Sequence, residues 1–329
     1  MNARPRIMLV GAGSMGSNHA RVIAQNEACD LAVVVEASED AGRRAAERWS
    51  ATYRPEIGSL QGIDAVVIAA ATEAHYDLAS QVLAAGLPVF VEKPLTPSLD
   101  QTKALLDASR RVGVPIMCGF VERYNPAVLT ARALVGSPVL FQATRHSPYT
   151  PRIRQSVAWD LMVHDVDMAV GFMGGQVKSV RGVGSVVVPG AVPDAEDIME
   201  AAILFSTGGI ATISASRTAQ CKMRSAFVYE RERQIEIDLL QRNVVIRRSV
   251  GQDVFTEDAL GNQRSYKQQS VIEIPEIVTA REPLASQLDH FLKLVAGSAD
   301  ADQERSSILP AHDVVARVVA SAAAARAEQ

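Results

Sequence analysis

Ile7-Met8-Leu9-Val10-Gly11-Ala12-Gly13-Ser14-Met15-Gly16 carries four apolar residues straight into a turn with three glycines, and a helical pattern follows from residue 17. A short aliphatic run before such a turn reads as a buried parallel strand; the glycines let the chain turn tightly and let a helix start close against the strand. The first N–H groups of that helix and its positive dipole end suit a phosphate. Alone the turn is a weak sign, because any tight strand-to-helix connection uses glycine. Glu36 strengthens it, ending the next apolar run about 20 residues beyond Gly16, where a dinucleotide fold places the carboxylate that meets the ribose diol. Gly11, Gly13, Ser14, Met15, Gly16 and Glu36 therefore form the expected cofactor cradle. NAD is favoured over NADP because Glu36 would repel a 2′-phosphate, a preference that nearby Arg43 and Arg44 temper.

Working outward, apolar runs at 31–36, 64–70 and 87–91 alternate with helix-like stretches at 17–26, 40–49 and 75–85, and a helix near 98–111 precedes a strand near 114–120. Buried strands alternating with helices predict a doubly wound parallel sheet, an α/β domain over residues 1–120. Asn125-Pro126 reads as an N-cap followed by proline at the first helical position, opening a helix to about residue 135. After Pro138 the pattern changes to alternating segments at 139–146, 177–188, 197–205, 209–216, 225–230 and 234–248. These predict an α+β second domain, 121–329, on a large open antiparallel sheet. One helix near 159–172 falls between its first strands. Helices near 284–296 and 310–327 close the chain, and the last can pack back on the first domain.

Two domains fit a chain of 329 residues at roughly 100–200 residues each. The formal charge of −4, without a long basic run, argues against nucleic acid and membrane surfaces as partners. Cys29, Cys118 and Cys221 are too dispersed for a zinc site or a disulfide framework, so no metal is expected and a reducing cytoplasm fits. No apolar run approaches the ~18 residues of a spanning helix, and no targeting segment is evident.

Val89-Phe90-Val91-Glu92-Lys93-Pro94 delivers a lysine at the end of a buried strand, with a proline behind it to fix the backbone, so the ammonium is aimed at the mouth of the nucleotide domain. Glu92 and Lys93 join the expected cofactor contacts. Thr72, after the strand 64–70, reads as the N-cap of the next helix or as a cofactor contact; His75 reads as capping, solvated or beside the cofactor, and His19 as structural. Asp160 and His164 lie four apart on a helical pattern and share one face. That pair is either an ordinary surface pair or an acid/base group for a substrate hydroxyl. Arg123, Tyr124, Arg152, Arg154 and Arg217 are candidate substrate contacts, the arginines as forked donors to a diphosphate or as plain surface arginines.

The glycine turn, Glu92-Lys93-Pro94 and Asp160-x-x-x-His164, in this order across most of the chain, resemble the glucose-fructose oxidoreductase and inositol dehydrogenase (Gfo/Idh/MocA) family. The resemblance implies a Rossmann domain plus an open-sheet domain, hydride transfer between a sugar or polyol carbon and a nicotinamide, and Lys93, Asp160 and His164 as catalytic residues. It also implies a frequently cis Lys93–Pro94 peptide and face-to-face packing of open sheets into homodimers or homotetramers. Gly119 to Val128, Asp160 to Asp167 and Ser214 to Arg217 are similar to the branch containing UDP-N-acetylglucosamine 3-dehydrogenases. Ser156-Val157-Ala158-Trp159 replaces the glycine-rich run that often precedes the aspartate, a departure from simple polyol dehydrogenases. Two other expectations stand beside a nucleotide-sugar dehydrogenase: a free-sugar or inositol dehydrogenase, and a non-catalytic NAD(P)-binding regulator.

Overall fold

Apolar strands flanked by amphipathic helices give the first compact unit, in a computed structural model that describes residues 4–151, 155–188, 195–256 and 263–327. Its elements are β1 (Arg6–Val10), α1 (Ser14–Ala24), β2 (Asp30–Val35), α2 (Glu39–Arg48), β3 (Thr52–Arg54), β4 (Ala65–Ile68), α3 (His75–Ala84), β5 (Val89–Val91), α4 (Leu99–Val112) and β6 (Ile116–Cys118). All six strands are parallel, in the order β3-β2-β1-β4-β5-β6. This is the doubly wound Rossmann arrangement, with its switch point between β1 and β4, where ligands bind beyond the carboxyl ends of the strands. Ile7, Leu9, Val34, Val67, Phe90 and Met117 are buried at its core.

The unit is not contiguous in sequence, which departs from a division at 120/121. Residues up to 124 cluster with 158–167 and 281–320, whereas 125–157, 168–280 and 321–329 form the second unit. The return of the chain has a physical basis in α7 (Pro283–Val295), whose Leu284, Leu288, Phe291 and Leu294 join the Rossmann core. Arg21 of α1 meets Glu282 at 2.5 Å, and Asn26 meets Asp289 at 2.9 Å.

The second unit holds α5 (Pro126–Leu134), β7 (Leu140–His146), the C-terminal part of α6 (Val163–Met173), and strands β8 (Val177–Ser185), β9 (Ile198–Phe205), β10 (Ile210–Ser216), β11 (Met223–Tyr229), β12 (Gln234–Asp238), β13 (Asn243–Thr256) and β14 (Gln263–Glu273). They form one sheet, β14-β13-β12-β11-β7-β10-β9-β8. It is antiparallel except for β7 and β10, which run parallel. Alternation decides its faces: Phe141, Ile203, Ile213, Val228, Ile235 and Ile237 are buried, while the opposite face carries the exposed Leu204 and Ile210. Asn125 caps α5 as expected, accepting the Ala127 N–H at 3.1 Å.

Three expectations are corrected. The segment 234–248 is two strands, because the Asp238 carboxylate accepts the N–H groups of Leu240 and Gln241 and turns the chain, with Arg242 at φ +59. The final helix, α8 (Ala301–Ala327), starts well before Pro310. Asp300 caps it by accepting from Asp302 and Gln303, both at 2.9 Å, and Pro310 sits inside. By length and composition α8 could span a membrane. Its Ile308, Ala311, Val314, Val315 and Val318 are buried, and an interior helix passes the same test.

Candidate active site

The carboxyl ends of the parallel strands gather the cofactor candidates. Gly11 and Gly16 are required by the fold. Gly11 has φ +95, and a Cβ there would lie 2.6 Å from the Ala69 carbonyl oxygen; a Cβ on Gly16 would lie 2.0 Å from the Gly11 carbonyl oxygen. Gly13 differs. Its φ is −67, and a Cβ would meet nothing within 4 Å, so packing does not explain the missing side chain. Gly13 is the N-cap of α1, ahead of Ser14 and Met15, and there no acidic residue occupies the first turn and no side chain caps the N–H groups. That cradle fits a pyrophosphate. Glu36, just past β2, accepts from Ala12 N at 2.8 Å and from Ser38 N at 3.1 Å, which fixes its carboxylate beside the turn.

Thr72 does not cap α3. It opens a 3₁₀ turn, Thr72–Ala74, and the residue before α3 is Ala74, without a side-chain cap. His75 is buried rather than solvated, with Nδ1 3.0 Å from the Pro94 carbonyl oxygen and Nε2 3.2 Å from that of Ala70. Burial lowers its pKa against the pull of those carbonyls. His19 is also buried, and its Nε2 meets Glu92 Oε1 at 2.7 Å. Burial pushes the Glu92 carboxyl up, but the His19 contact and the Lys93 charge outweigh it and hold the group below the usual carboxylate range. The second Glu92 oxygen accepts the Lys93 backbone N–H at 3.1 Å, so Glu92 faces the lysine segment. Gly119 is needed there, because a Cβ would lie 2.6 Å from Glu92 Oε2.

Lys93 follows β5, and its peptide to Pro94 is cis. Its Nζ donates to the Asp160 carbonyl oxygen at 2.6 Å and to Asp160 Oδ1 at 3.0 Å. Residues Ala158–Met162 form a π-helical turn ahead of α6, instead of the uniform α-helix that the Asp160/His164 spacing predicts. Such turns concentrate at functional sites because the widened ladder re-aims side chains. Here the turn presents Asp160 to the lysine by both main chain and side chain. His164, on the first turn of α6, is 8% exposed.

Two candidate phosphate contacts are occupied internally. Arg123 donates to Asp167 at 2.9 and 2.6 Å and to Ser307 at 2.6 and 2.9 Å, and it stacks 4.7 Å from the Phe120 ring. Burial opposes its charge, but Asp167 and Glu304 overcome that and raise its pKa. Arg217 is 5% exposed; its Nη2 donates to the Gln155 carbonyl and its Nε lies 3.7 Å from Asp197. Both are engaged by partners within their own units. The Tyr124 ring packs 5.9 Å from His290. Arg152 and Arg154 lie outside the described residues.

Sequence reasoning missed His312, whose Nε2 accepts the Leu95 N–H at 2.9 Å, whereas His19 is structural, as expected. A signal existed for each: Gly16, His19, Ala20 and Ile23 share a buried stripe on α1, as do Ile308, Ala311, His312 and Val315 on α8.

Residues 5–120 match the oxidoreductase family with an NAD-binding Rossmann fold, and residues 128–237 match the GFO/IDH/MocA C-terminal domain. The chain is 27% identical over 294 residues to a UDP-N-acetylglucosamine 3-dehydrogenase of Acidithiobacillus ferrooxidans, covering 88% of each. The solved structure of that dehydrogenase superposes with a TM-score of 0.80 at 24% identity, over 97% of this chain and 99% of the other. An inositol 2-dehydrogenase of Rhizobium meliloti is 30% identical over 65% of this chain and 69% of its own length. Levoglucosan dehydrogenase in complex with NADH and levoglucosan shares the fold, with a TM-score of 0.79 at 19% identity over 98% of each chain.

Proposed function

Because the chain belongs to the GFO/IDH/MocA family and is an NAD-binding oxidoreductase, we propose that it dehydrogenates a secondary alcohol of a nucleotide sugar, of the UDP-N-acetylglucosamine type. The carrying observation is the Lys93 ammonium held at 2.6 and 3.0 Å by Asp160, at the open end of a nucleotide-binding sheet. Bound NAD supplies the hydride acceptor. Lys93 polarises the substrate hydroxyl and stabilises negative charge on its oxygen; His164 takes the hydroxyl proton, and Asp160 orients the ammonium. Gly11 to Gly16 hold the pyrophosphate and Glu36 the ribose diol. The nucleotide-sugar class is supported by similarity over 88% of both chains to the UDP-N-acetylglucosamine enzyme. With Arg123 and Arg217 engaged internally, the diphosphate contacts fall to Arg152 and Arg154.

The inositol relatives give a second reading, a cyclitol dehydrogenase. A panel of UDP-N-acetylglucosamine, free N-acetylglucosamine, glucose and myo-inositol, with NAD or NADP and the absorbance of reduced cofactor as readout, separates them. Reduction of NAD with the nucleotide sugar alone is expected. Turnover of myo-inositol with an inert nucleotide sugar would replace the first reading by the second. We further propose cytoplasmic action and assembly as a homodimer or homotetramer through the open sheet face, where Leu204, paired with Ile210, is exposed. A monomer by light scattering at micromolar concentration would remove the assembly.

A further inference from the structure

Three buried imidazoles from three helices close on the four residues 92–95 that carry Lys93. His19 of α1 engages the Glu92 carboxylate, His75 of α3 the Pro94 carbonyl, and His312 of α8 the Leu95 N–H. The third contact differs in kind. A main-chain N–H can only donate, so His312 Nε2 carries no proton, and Nδ1, 2.9 Å from the Ile308 carbonyl oxygen, carries the one the neutral ring has. The same ring lies 6.1 Å from the Trp159 ring and 5.7 Å from that of Phe120. One side chain therefore touches both the segment that bears Lys93 and the residue immediately before Asp160.

We propose that His312 is a positioning residue that sets Lys93 on Asp160, holding Leu95 by a hydrogen bond and the π-helical turn by packing on Trp159. Leu95 is two residues from Lys93, and Pro94 between them has a fixed φ, so restraint at Leu95 is transmitted to the lysine rather than absorbed by the chain. Without that restraint the ammonium meets the Asp160 carbonyl and carboxylate for a smaller share of the time. The functional weight of this inference rests on the reading of Lys93 and Asp160 as the reacting site.

Two substitutions separate the hydrogen bond from mere filling of the core. Gln at 312 can place an amide oxygen near the position of Nε2, whereas Asn reaches only the position of Nδ1. The readout is acylation of Lys93 by acetic anhydride at fixed pH, followed by peptide mass spectrometry with exposed Lys103 and Lys293 as internal references. His312→Asn is expected to expose the amine and speed its acylation about fivefold, while His312→Gln stays within about twofold of wild type. Equal rates in all three proteins, or equal acceleration by Asn and Gln, would overturn the inference. If neither variant folds, the nitrogen spectrum of wild-type His312 decides: a bare Nε2 supports the assignment and a protonated Nε2 overturns it. Labelling needs no turnover, so it is independent of the catalytic reading, which instead fails if Lys93→Met remains active.

Discussion

Lys93 and Arg123 are both cations of the Rossmann unit, and each meets an aspartate of the stretch 158–167, yet their surroundings differ in the one respect that governs chemistry. The Lys93 ammonium has three donors, of which Asp160 takes two, and the pair is 19% and 21% exposed. The Arg123 guanidinium is committed to Asp167, Ser307 and the Phe120 ring, and its aspartate is 6% exposed. A compact ammonium with a donor to spare at the rim of a sheet can stabilise a reacting oxygen. A fork with four of its five N–H groups taken by its own chain, and Glu304 3.8 Å from Nη1, chiefly holds that chain together.

The largest effect that tests this contrast is on turnover. Lys93→Met removes the charge but keeps the length of the side chain. It is expected to lower kcat about 10³-fold or more, with the NAD dissociation constant within about threefold of wild type, since the pyrophosphate cradle lies elsewhere. Stopped-flow reduction of NAD and calorimetric titration read the two quantities. Retained turnover with chemistry rate-limiting would break the contrast outright.

Arg123→Met should act on the other axis. It strands the Asp167 carboxylate in a buried site, and breaking such a pair costs about 3–5 kcal/mol of stability. The unfolding midpoint in urea should fall while KM for the proposed nucleotide-sugar substrate stays near its original value. A raised KM without loss of stability would return Arg123 to the substrate.

The same contrast explains what the sequence could disclose. The glycine turn, Glu36 and the apolar run into Lys93 are local patterns, and each stands where periodicity places it because strand ends of a parallel sheet converge on the switch point. Whether an arginine is spent internally is not a local property. Arg123 finds Ser307 across 184 residues of chain, and Arg217 finds Gln155 across 62, so neither pairing had a signature in the neighbouring residues. The π-helical turn at 158–162 escaped for a related reason: a four-residue spacing between Asp160 and His164 is the same in sequence whether the ladder is regular or widened. The interleaving of the units was also hidden, since residues 158–167 belong with the Rossmann unit although strands of the other unit flank them.

The smallest effect concerns the support of the lysine segment and is read by pH. Burial lowers the His312 imidazole to about 4, against the opposing influence of the Ile308 carbonyl; Asp167 also pulls it up and Arg123 pushes it down. An unfolded histidine titrates near ~6.5. Between these values the unfolded chain takes up a proton that the folded chain refuses, so stability must fall as pH falls through this window. The His312 contribution is complete above pH ~6.5, is reduced by about 2 kcal/mol at pH 5, and is exhausted below about 4. His75, also lowered by burial, acts in the same direction, and Glu92, held below its ordinary value, adds a loss at more acidic pH. His312→Gln removes only its own share. The drop in unfolding free energy between pH 7 and pH 5, from urea titrations, should therefore be smaller in the variant by about 2 kcal/mol. Equal drops in the two proteins would mean that His312 is not held neutral in the folded chain, and the Leu95 hydrogen bond would then have no acceptor.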